Sequence, residues 1–439
     1  MTERALPTGW GWATLGELGQ WFGGGTPSKR KPEFWESGTI PWLSPKDMGM
    51  SLLVDTQDHI TDAAVAGSAT LLVPANSVAL VVRSGILERR VPVSLVPFAT
   101  TMNQDMKAVA PHAAVDSKWL LYTLQSQELV ILHACRKAGT TVASLDTAKL
   151  HGLPIPLPPL PEQHRIVEAL EDHLSRLDAA DQTLQNARAR LRLVRALYLN
   201  ATLCSREVLA SSTIGDECEV FVGATPSRAN PTFWNGDFPW VSSGEVAFNR
   251  ISTTRERITR EAAGNVSTRV HPPGTVMMAM IGEGKTRGQV AILDIEAAHN
   301  QNCAAIRIDS SKFLSEFVYH SLRSRYEQNR NTGAGGVQPA LNKQKVREIE
   351  LPVFAIDDQR DIVAEIEDFD DAYTRAKISV DTALARSSTL RRSLLRMAFN
   401  GELVDQDHTD EPATVALAKI RDEQSGTISR RQRRVAATK

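Results

Sequence analysis

Side chains able to grip a polyanion or a base edge are gathered in three short stretches, each of which occurs twice in the chain. Ser28-Lys29-Arg30-Lys31 and Ser227-Arg228 both follow a Thr-Pro turn; Arg83, Arg89 and Arg90 flank Gly85, as Lys285 and Arg287 flank Gly282; Asn103-Gln104 returns as Asn300-Gln301. The chemistry open to these residues is hydrogen bonding and charge pairing, not bond making. Lys, Arg and Ser suit phosphate oxygens, Arg and Lys match the guanine edge, and Asn and Gln match adenine. The glycines suit tight strand-to-strand turns where backbone approaches a ligand closely. A solvated charged loop is the competing reading of the cationic stretches, and Asn103-Gln104 and Asn300-Gln301 could instead satisfy buried backbone groups. Trp35, Trp42, Trp234 and Trp240 read as core rather than as stacking platforms, because aromatics at matched positions of a repeat usually pack. A terminal cluster, Arg430-Arg431-Gln432-Arg433-Arg434, is a further phosphate candidate, with a disordered tail as the plainer reading.

Bond-making chemistry finds no support. Ala279 to Thr286 satisfies a permissive phosphate-loop pattern, but such a loop must open a helix, and Gly288 to Ile295 reads as strand. Asn230-Pro231-Thr232-Phe233 is superficially similar to a loop of adenine methyltransferases, yet Thr replaces that loop's second Pro. Its counterpart, Lys31-Pro32-Glu33-Phe34, lacks the Asn, and no Gly-rich loop for a methyl donor accompanies either copy. Nucleophile-elbow and zinc-protease motifs are absent, the ten histidines are scattered, and Cys135, Cys204, Cys218 and Cys303 are too widely spaced for paired zinc ligands. The expectation is a chain with no catalytic residue, no cofactor and no metal site of its own.

Length points to two or three domains, since 439 residues exceed one ordinary core. With 42% hydrophobic and 23% charged residues the composition is that of a soluble globular protein, and no apolar run reaches the ~18 residues that would suggest a membrane span. No secretory signal is visible at the start, so a cytoplasmic location is expected. The net charge of −1 argues against binding nucleic acid by bulk charge. Residues 1–156 carry 13 basic and 13 acidic side chains and residues 205–356 carry 17 and 16, so any reading of DNA must rest on local faces and base-edge contacts.

What positions the paired stretches is a duplication. Thr26-Pro27-Ser28, Pro32, Phe34-Trp35 and Pro41-Trp42 recur as Thr225-Pro226-Ser227, Pro231, Phe233-Trp234 and Pro239-Trp240; further on, Pro156, Gln163 and Ile166-Val167 recur as Pro352, Gln359 and Ile362-Val363. Each repeat begins with short apolar runs, such as Ser77 to Val82 and Thr275 to Ile281, that read as strands of a mixed α/β domain. In the first copy Pro154, Pro156, Pro158, Pro159 and Pro161 form a stiff joint. Beyond each joint the apolar period becomes 3.5, the coiled-coil value. One seam row is Leu170, Leu177, Leu184, Leu191 and Tyr198, with Ile166, His173, Ala180, Ala187 and Val194 beside it. Its partner is Ile366, Tyr373, Val380, Ser387 and Leu394, with Ile362, Phe369, Ala376, Ala383, Leu390 and Met397 beside it. The expected architecture is two globular α/β domains, 1–156 and 205–356, related by a pseudo-two-fold. Between them, helices 157–204 and 357–404 form a long antiparallel two-helix coiled coil, and 405–439 is a tail.

The run Leu157-Pro158-Pro159-Leu160-Pro161-Glu162-Gln163-His164-Arg165-Ile166-Val167 resembles the start of the helical region in specificity (S) subunits of Type I restriction-modification enzymes. So do Leu6-Pro7-Thr8-Gly9-Trp10, Gly24-Gly25-Thr26-Pro27-Ser28, Arg396-Met397-Ala398-Phe399-Asn400-Gly401-Glu402-Leu403-Val404 and Asp410-Glu411-Pro412-Ala413, in family order along the whole chain. The resemblance implies two target-recognition domains, each reading half of a split double-stranded DNA site. It also implies two methyltransferase (M) subunits on the outer faces of the helices, and motor-endonuclease (R) subunits that join them. One departure is Ala355-Ile356-Asp357-Asp358-Gln359 in place of the Pro-rich joint, which implies a less rigid second joint. The alternative from a different class is a non-catalytic coiled-coil scaffold with two protein-binding domains. Domains reading one face of a duplex would place half-sites ~34 to 36 Å apart.

Overall fold

The computed structural model describes residues 6–139, 141–265, 270–282, 284–331 and 340–422. The basic cluster at 430–434 and the rest of the 405–439 tail beyond residue 422 lie outside these described residues. The chain divides into two compact units, one made of residues 1–183 with 383–439, the other of residues 184–382.

In the first unit, strand formation follows burial. Ser77–Val81 is buried along its whole length and lies inside the sheet, where a continuous apolar run is satisfied on both faces. Among the described residues this sheet runs Gly19–Gly23, Met106–Pro111, Ser77–Val81, Val93–Val96, with antiparallel neighbours. A smaller sheet orders Asp58–Ile60, Ile40–Leu43 and Thr101–Met102, the last pair parallel. Gly11–Thr14 pairs with Pro154–Leu157, so the two ends of the globular part close on each other. The Pro joint is thus a strand edge, where missing N–H donors cost nothing. Helix Ser117–Ser126, capped by Asp116 through Trp119 N at 2.8 Å, buries Trp119, Leu120 and Leu124 against the larger sheet.

The second unit repeats the plan with one addition. Cys218–Val222, Cys303–Ile308, Val276–Ala279 and Val290–Leu293 form the larger sheet, extended by the parallel edge strand Asn249–Ile251. Glu256–Ile258, Trp234–Val241 and Ala298–His299 form the smaller one, and Ala210–Thr213 pairs with Glu350–Val353. The strand Val290–Leu293 follows the permissive phosphate-loop segment, so that segment opens no helix.

Two helices of 44 residues follow the globular parts, Leu160–Leu203 and Ile356–Phe399. Each is docked at its start by one buried glutamine. Gln163 donates to the carbonyls of Pro158 (3.0 Å) and Ala114 (3.1 Å) and accepts from Asp116 N (2.8 Å). Gln359 repeats this with Phe354, Lys312 and Leu314 N.

Each unit contains the start of one long helix and the end of the other. In the second unit Arg188 pairs with Asp381 (3.4 Å), Arg195 with Asp370 (2.8 Å), and Tyr198 stacks on Phe369 at 3.9 Å, so the helix segments there run antiparallel. In the first unit Ile166, Leu170 and Leu174 share a core with Ala398 and Phe399, and Arg391 bonds Asp178. Leu170, Ile166, Ile362 and Ile366 are buried, and Leu177, Leu184, Leu191, Phe369, Tyr373, Val380 and Leu394 are half-buried. The expected neighbouring row of the first helix is corrected: His173, Ala180 and Val194 are exposed, and the enclosed positions are Leu174, Asp181, Arg188, Arg195 and Thr202, one residue later. Apolar spacing missed that row because its middle members are charged and paired across the helices. Leu390 is likewise off the seam, 54% exposed.

Candidate nucleic-acid interface

In the first unit the three stretches come together at one end of the sheets. Thr26 Oγ1 donates to the Gln104 side chain, and Arg83 pairs with Asp105, whose carbonyl also accepts from Val82 N (2.8 Å) and Arg83 N (3.2 Å). Tryptophans pin the first loop from below: Trp42 Nε1 donates to Gly25 O (3.1 Å), Trp35 Nε1 to Ser28 O (3.3 Å), and the two rings meet edge-on at 5.1 Å. Gly24 permits the approach, since a Cβ there would lie 1.7 Å from Asn103 O. The pinned loops leave Ser28, Lys29, Arg30, Arg89, Arg90 and Gln104 exposed. Lys29 sits 5.8 Å from the Trp35 ring centre, a cation–π contact that holds the ammonium near the surface. Gly85 opens a one-turn 3-10 helix, Gly85–Glu88, rather than a tight strand-to-strand turn; Ser84 caps it through Ile86 N, and it aims Arg89 and Arg90 outward.

The second unit assembles its loops through the same contacts. Thr225 Oγ1 donates to Gln301 (2.5 Å), Trp240 Nε1 to Ala224 O (3.4 Å) and Trp234 Nε1 to Ser227 O (3.2 Å). Gly223 replaces Gly24, with His299 O 2.0 Å from its missing Cβ. The cations differ. Arg228 makes a two-pronged pair with Glu256 (2.5 and 2.9 Å) and lies 3.7 Å over Trp234, which lowers the Glu256 carboxyl pKa and raises that of the guanidinium. Arg287 donates to Arg330 O (2.9 Å) and is half-buried, whereas Lys285 is exposed, its carbonyl accepting from Tyr326 Oη (2.6 Å). Gly282 takes φ +152° and Gly284 +32°, a turn that suits glycine.

Two expected readers are turned inward. Asn103 and Asn300 are 8% and 7% exposed, and their side-chain oxygens accept from Asp105 N (2.9 Å) and Asn302 N (3.1 Å). A buried amide whose oxygen already accepts within its own turn cannot present the donor–acceptor pair that a base edge requires. Trp42 and Trp240 are core residues, and Trp35 and Trp234 brace them from half-buried positions.

Sequence reading missed the acid that holds Arg228 and the purpose of the terminal motifs. Those motifs meet in the first unit: Trp10 Nε1 donates to buried Glu162 (3.0 Å), Arg165 pairs with Asp410 (2.7 Å), and Ala413 N bonds Gly9 O (2.9 Å). Burial raises the Glu162 pKa, and the Trp10 bond opposes that shift. Among the described residues there is no group of three or more His, Cys, Asp or Glu side chains placed to hold a metal ion, and no helix is long and apolar enough to cross a membrane.

Comparison with known proteins agrees with this duplicated plan. The family model for the Type I restriction modification DNA specificity domain matches residues 7–187 and again 209–380. Over 160 residues, 36% of this chain and 40% of the relative, the sequence is 52% identical to the Escherichia coli Type I restriction enzyme EcoR124I/EcoR124II specificity subunit. A second match, 28% identical over 37% of this chain and 38% of the relative, is to the Type I restriction enzyme MjaIX specificity subunit of Methanocaldococcus jannaschii. These alignments therefore span about two fifths of each relative's length. The fold is similar to a solved chain from a study of complex assembly and conformational transition of the type I R-M system (TM-score 0.76, 17% identity, 91% of this chain and all of that one). It is also similar to the HsdS subunit from Thermoanaerobacter tengcongensis (TM-score 0.56, 16% identity, 91% and 99%). Matched by the family model in both halves, the chain belongs to the Type I restriction-modification DNA specificity family.

Proposed function

We propose that the loop cluster of each unit reads one half of a bipartite double-stranded DNA target, and that the chain carries no chemistry of its own. In this reading 1–156 and 205–356 are the recognition domains, and 157–204 and 357–404 are the spacer helices on which two methyltransferase subunits assemble. Motor-endonuclease subunits join that complex, and the whole acts in the cytoplasm. The observation that supports it is the repeated construction of the loop ends: the same Thr–Gln bond and Trp pins brace the loops that carry exposed Lys29, Arg30 and Gln104 in one unit and Gln301 in the other, with Arg89, Arg90 and Lys285 exposed on the turns of the second stretch. Pinned loops suit base reading because little loop ordering is left to be paid on binding. Both recognition domains are close to neutral, so affinity without partners should be modest, with the partners supplying phosphate contacts.

The test is sequencing of methylated sites after co-expression with a methyltransferase subunit. Replacing Arg89 and Arg90 by Ala should abolish or relax one half-site and leave the other unchanged. Methylation independent of this chain, or loops whose loss alters neither half-site, would favour the protein-binding scaffold instead.

A further inference from the structure

The second unit carries a chain of three polar side chains, two buried histidines and a half-buried arginine, for which the first has only apolar residues. Arg307 Nε donates to His271 Nδ1 (3.2 Å), His271 Nε2 lies 3.2 Å from His299 Nε2, and His299 Nδ1 lies 3.0 Å from Asn300 O. At the matching strand positions the first unit has Ala110, Val73 and Met102. His271 and His299 are 0% and 1% exposed.

The proton order of this chain is fixed by its ends. An arginine Nε only donates, so His271 Nδ1 must accept; a neutral His271 then carries its proton on Nε2 and donates to His299 Nε2. His299 is left with its proton on Nδ1, aimed at the carbonyl of Asn300. Burial supports the neutral form, holding the His299 pKa down at about 4. Arg307 is itself secured, its second nitrogen bonding Val270 O (2.5 Å) and its guanidinium lying 4.8 Å over Phe221.

His299 ends the strand that delivers Gln301 and lies against the segment that delivers Thr225. Its carbonyl accepts from Ala224 N (3.1 Å), next to Thr225, and its ring bonds the residue before Gln301. Gly223 has no side chain where a Cβ would come within 2.5 Å of His299 Nδ1. Rotation of the imidazole would therefore move both partners of the Thr225–Gln301 bond.

We propose that the Arg307–His271–His299 relay is a positioning device that sets the Thr225–Gln301 loop, making His299 a specificity-determining residue for the second half-site alone. The inference rests on the DNA-reading function proposed above and deepens it. None of the three residues touches DNA in this reading; each acts through the next, and only Gln301 meets a base. An Asn or Gln amide reads adenine with two bonds, and a small tilt loses one of them.

The experiment selects a random-sequence duplex library with the full chain and its methyltransferase partner, comparing base preferences of the wild type, Gln301→Ala, His299→Met and the graft His271→Val/His299→Met/Arg307→Ala. The graft places the first unit's residues at these positions, so none of the three polar side chains is left without the others. His299→Met is expected to weaken preference about tenfold at the base lost in Gln301→Ala, with the first half-site unchanged and the melting transition of the second unit retained in the graft. Parallel weakening of both half-sites, or unchanged preference at the Gln301 base, would overturn the positioning role. A wild-type chain that selects no sequence would instead remove the DNA-reading function itself.

Discussion

Offset by about 196 residues, the two units keep one scaffold and fill it with different chemistry. What is retained is backbone management: the Gln163 and Gln359 clamps, the Gly24 and Gly223 approaches, and the tryptophan pins. What differs is the interior. Where Leu174 packs in the first unit, the second has Asp370, bonded to Arg323 (2.6 Å) and Arg195 (2.8 Å). Trp119 meets Phe399 edge-on at 6.3 Å in the first, while the second relies on the Arg195–Asp370 pair and the Tyr198–Phe369 stack. Duplication thus holds the backbone hydrogen-bond plan fixed, because every buried donor must be met, and leaves side-chain packing free to diverge.

The largest expected effect lies in the second unit's ion cluster. Asp370→Ala strands Arg323, whose side chain is 7% exposed, and should cost about 3–5 kcal/mol in urea unfolding. Asp370→Leu with Arg323→Gln, which copies Leu174 and Gln125 of the first unit, should recover most of that loss. Failure of this pair to recover stability would show that the two interiors are not interchangeable.

Acid should separate the units next. Burial holds His299 and His320 at about 4 against an ordinary 6.5, so both stay neutral in the fold while the unfolded chain takes up protons. Their contribution is complete above pH 6.5 and is lost as pH falls towards 4, on the order of 3 kcal/mol for each. In the first unit Glu17 is held at about 2 by Arg421, so its contribution fades only between pH 4.5 and 2. Hydrogen exchange followed by peptide mass should show the second unit opening first near pH 5; simultaneous opening would break the comparison.

The clamps should behave alike. Gln163→Ala and Gln359→Ala each remove three bonds and strand backbone groups, and each should cost about 2 kcal/mol in its own unit by the same unfolding measurement. A large inequality would mean that the Pro-rich joint preceding Gln163, absent before Gln359, carries part of the docking. The smallest effect is expected for Glu256→Gln, which loosens an exposed pair and should change stability by less than about 1 kcal/mol while freeing Arg228; a salt-dependence measurement of DNA affinity would register the release.

The duplication, the strand runs, the two long helices and the placement of the loop stretches were legible in the chain itself, because periodicity and repetition are local patterns that survive without a fold. Leu170, Leu177, Leu184 and Leu191 announce a seam by spacing alone. Tertiary structure decided which residues flank it: Asp181, Arg188 and Arg195 carry no apolar signal and are enclosed by partners that lie about two hundred residues away along the chain. The same limit separated Gln104 and Gln301, which face outward, from Asn103 and Asn300, which turn in to complete their own loops. It also hid the Arg307–His271–His299 relay, whose members sit on separate strands and loops and become a chain of hydrogen bonds only when the sheets close. Spacing along a chain reports which face a residue occupies, but the partner that satisfies a buried polar group is chosen by the fold.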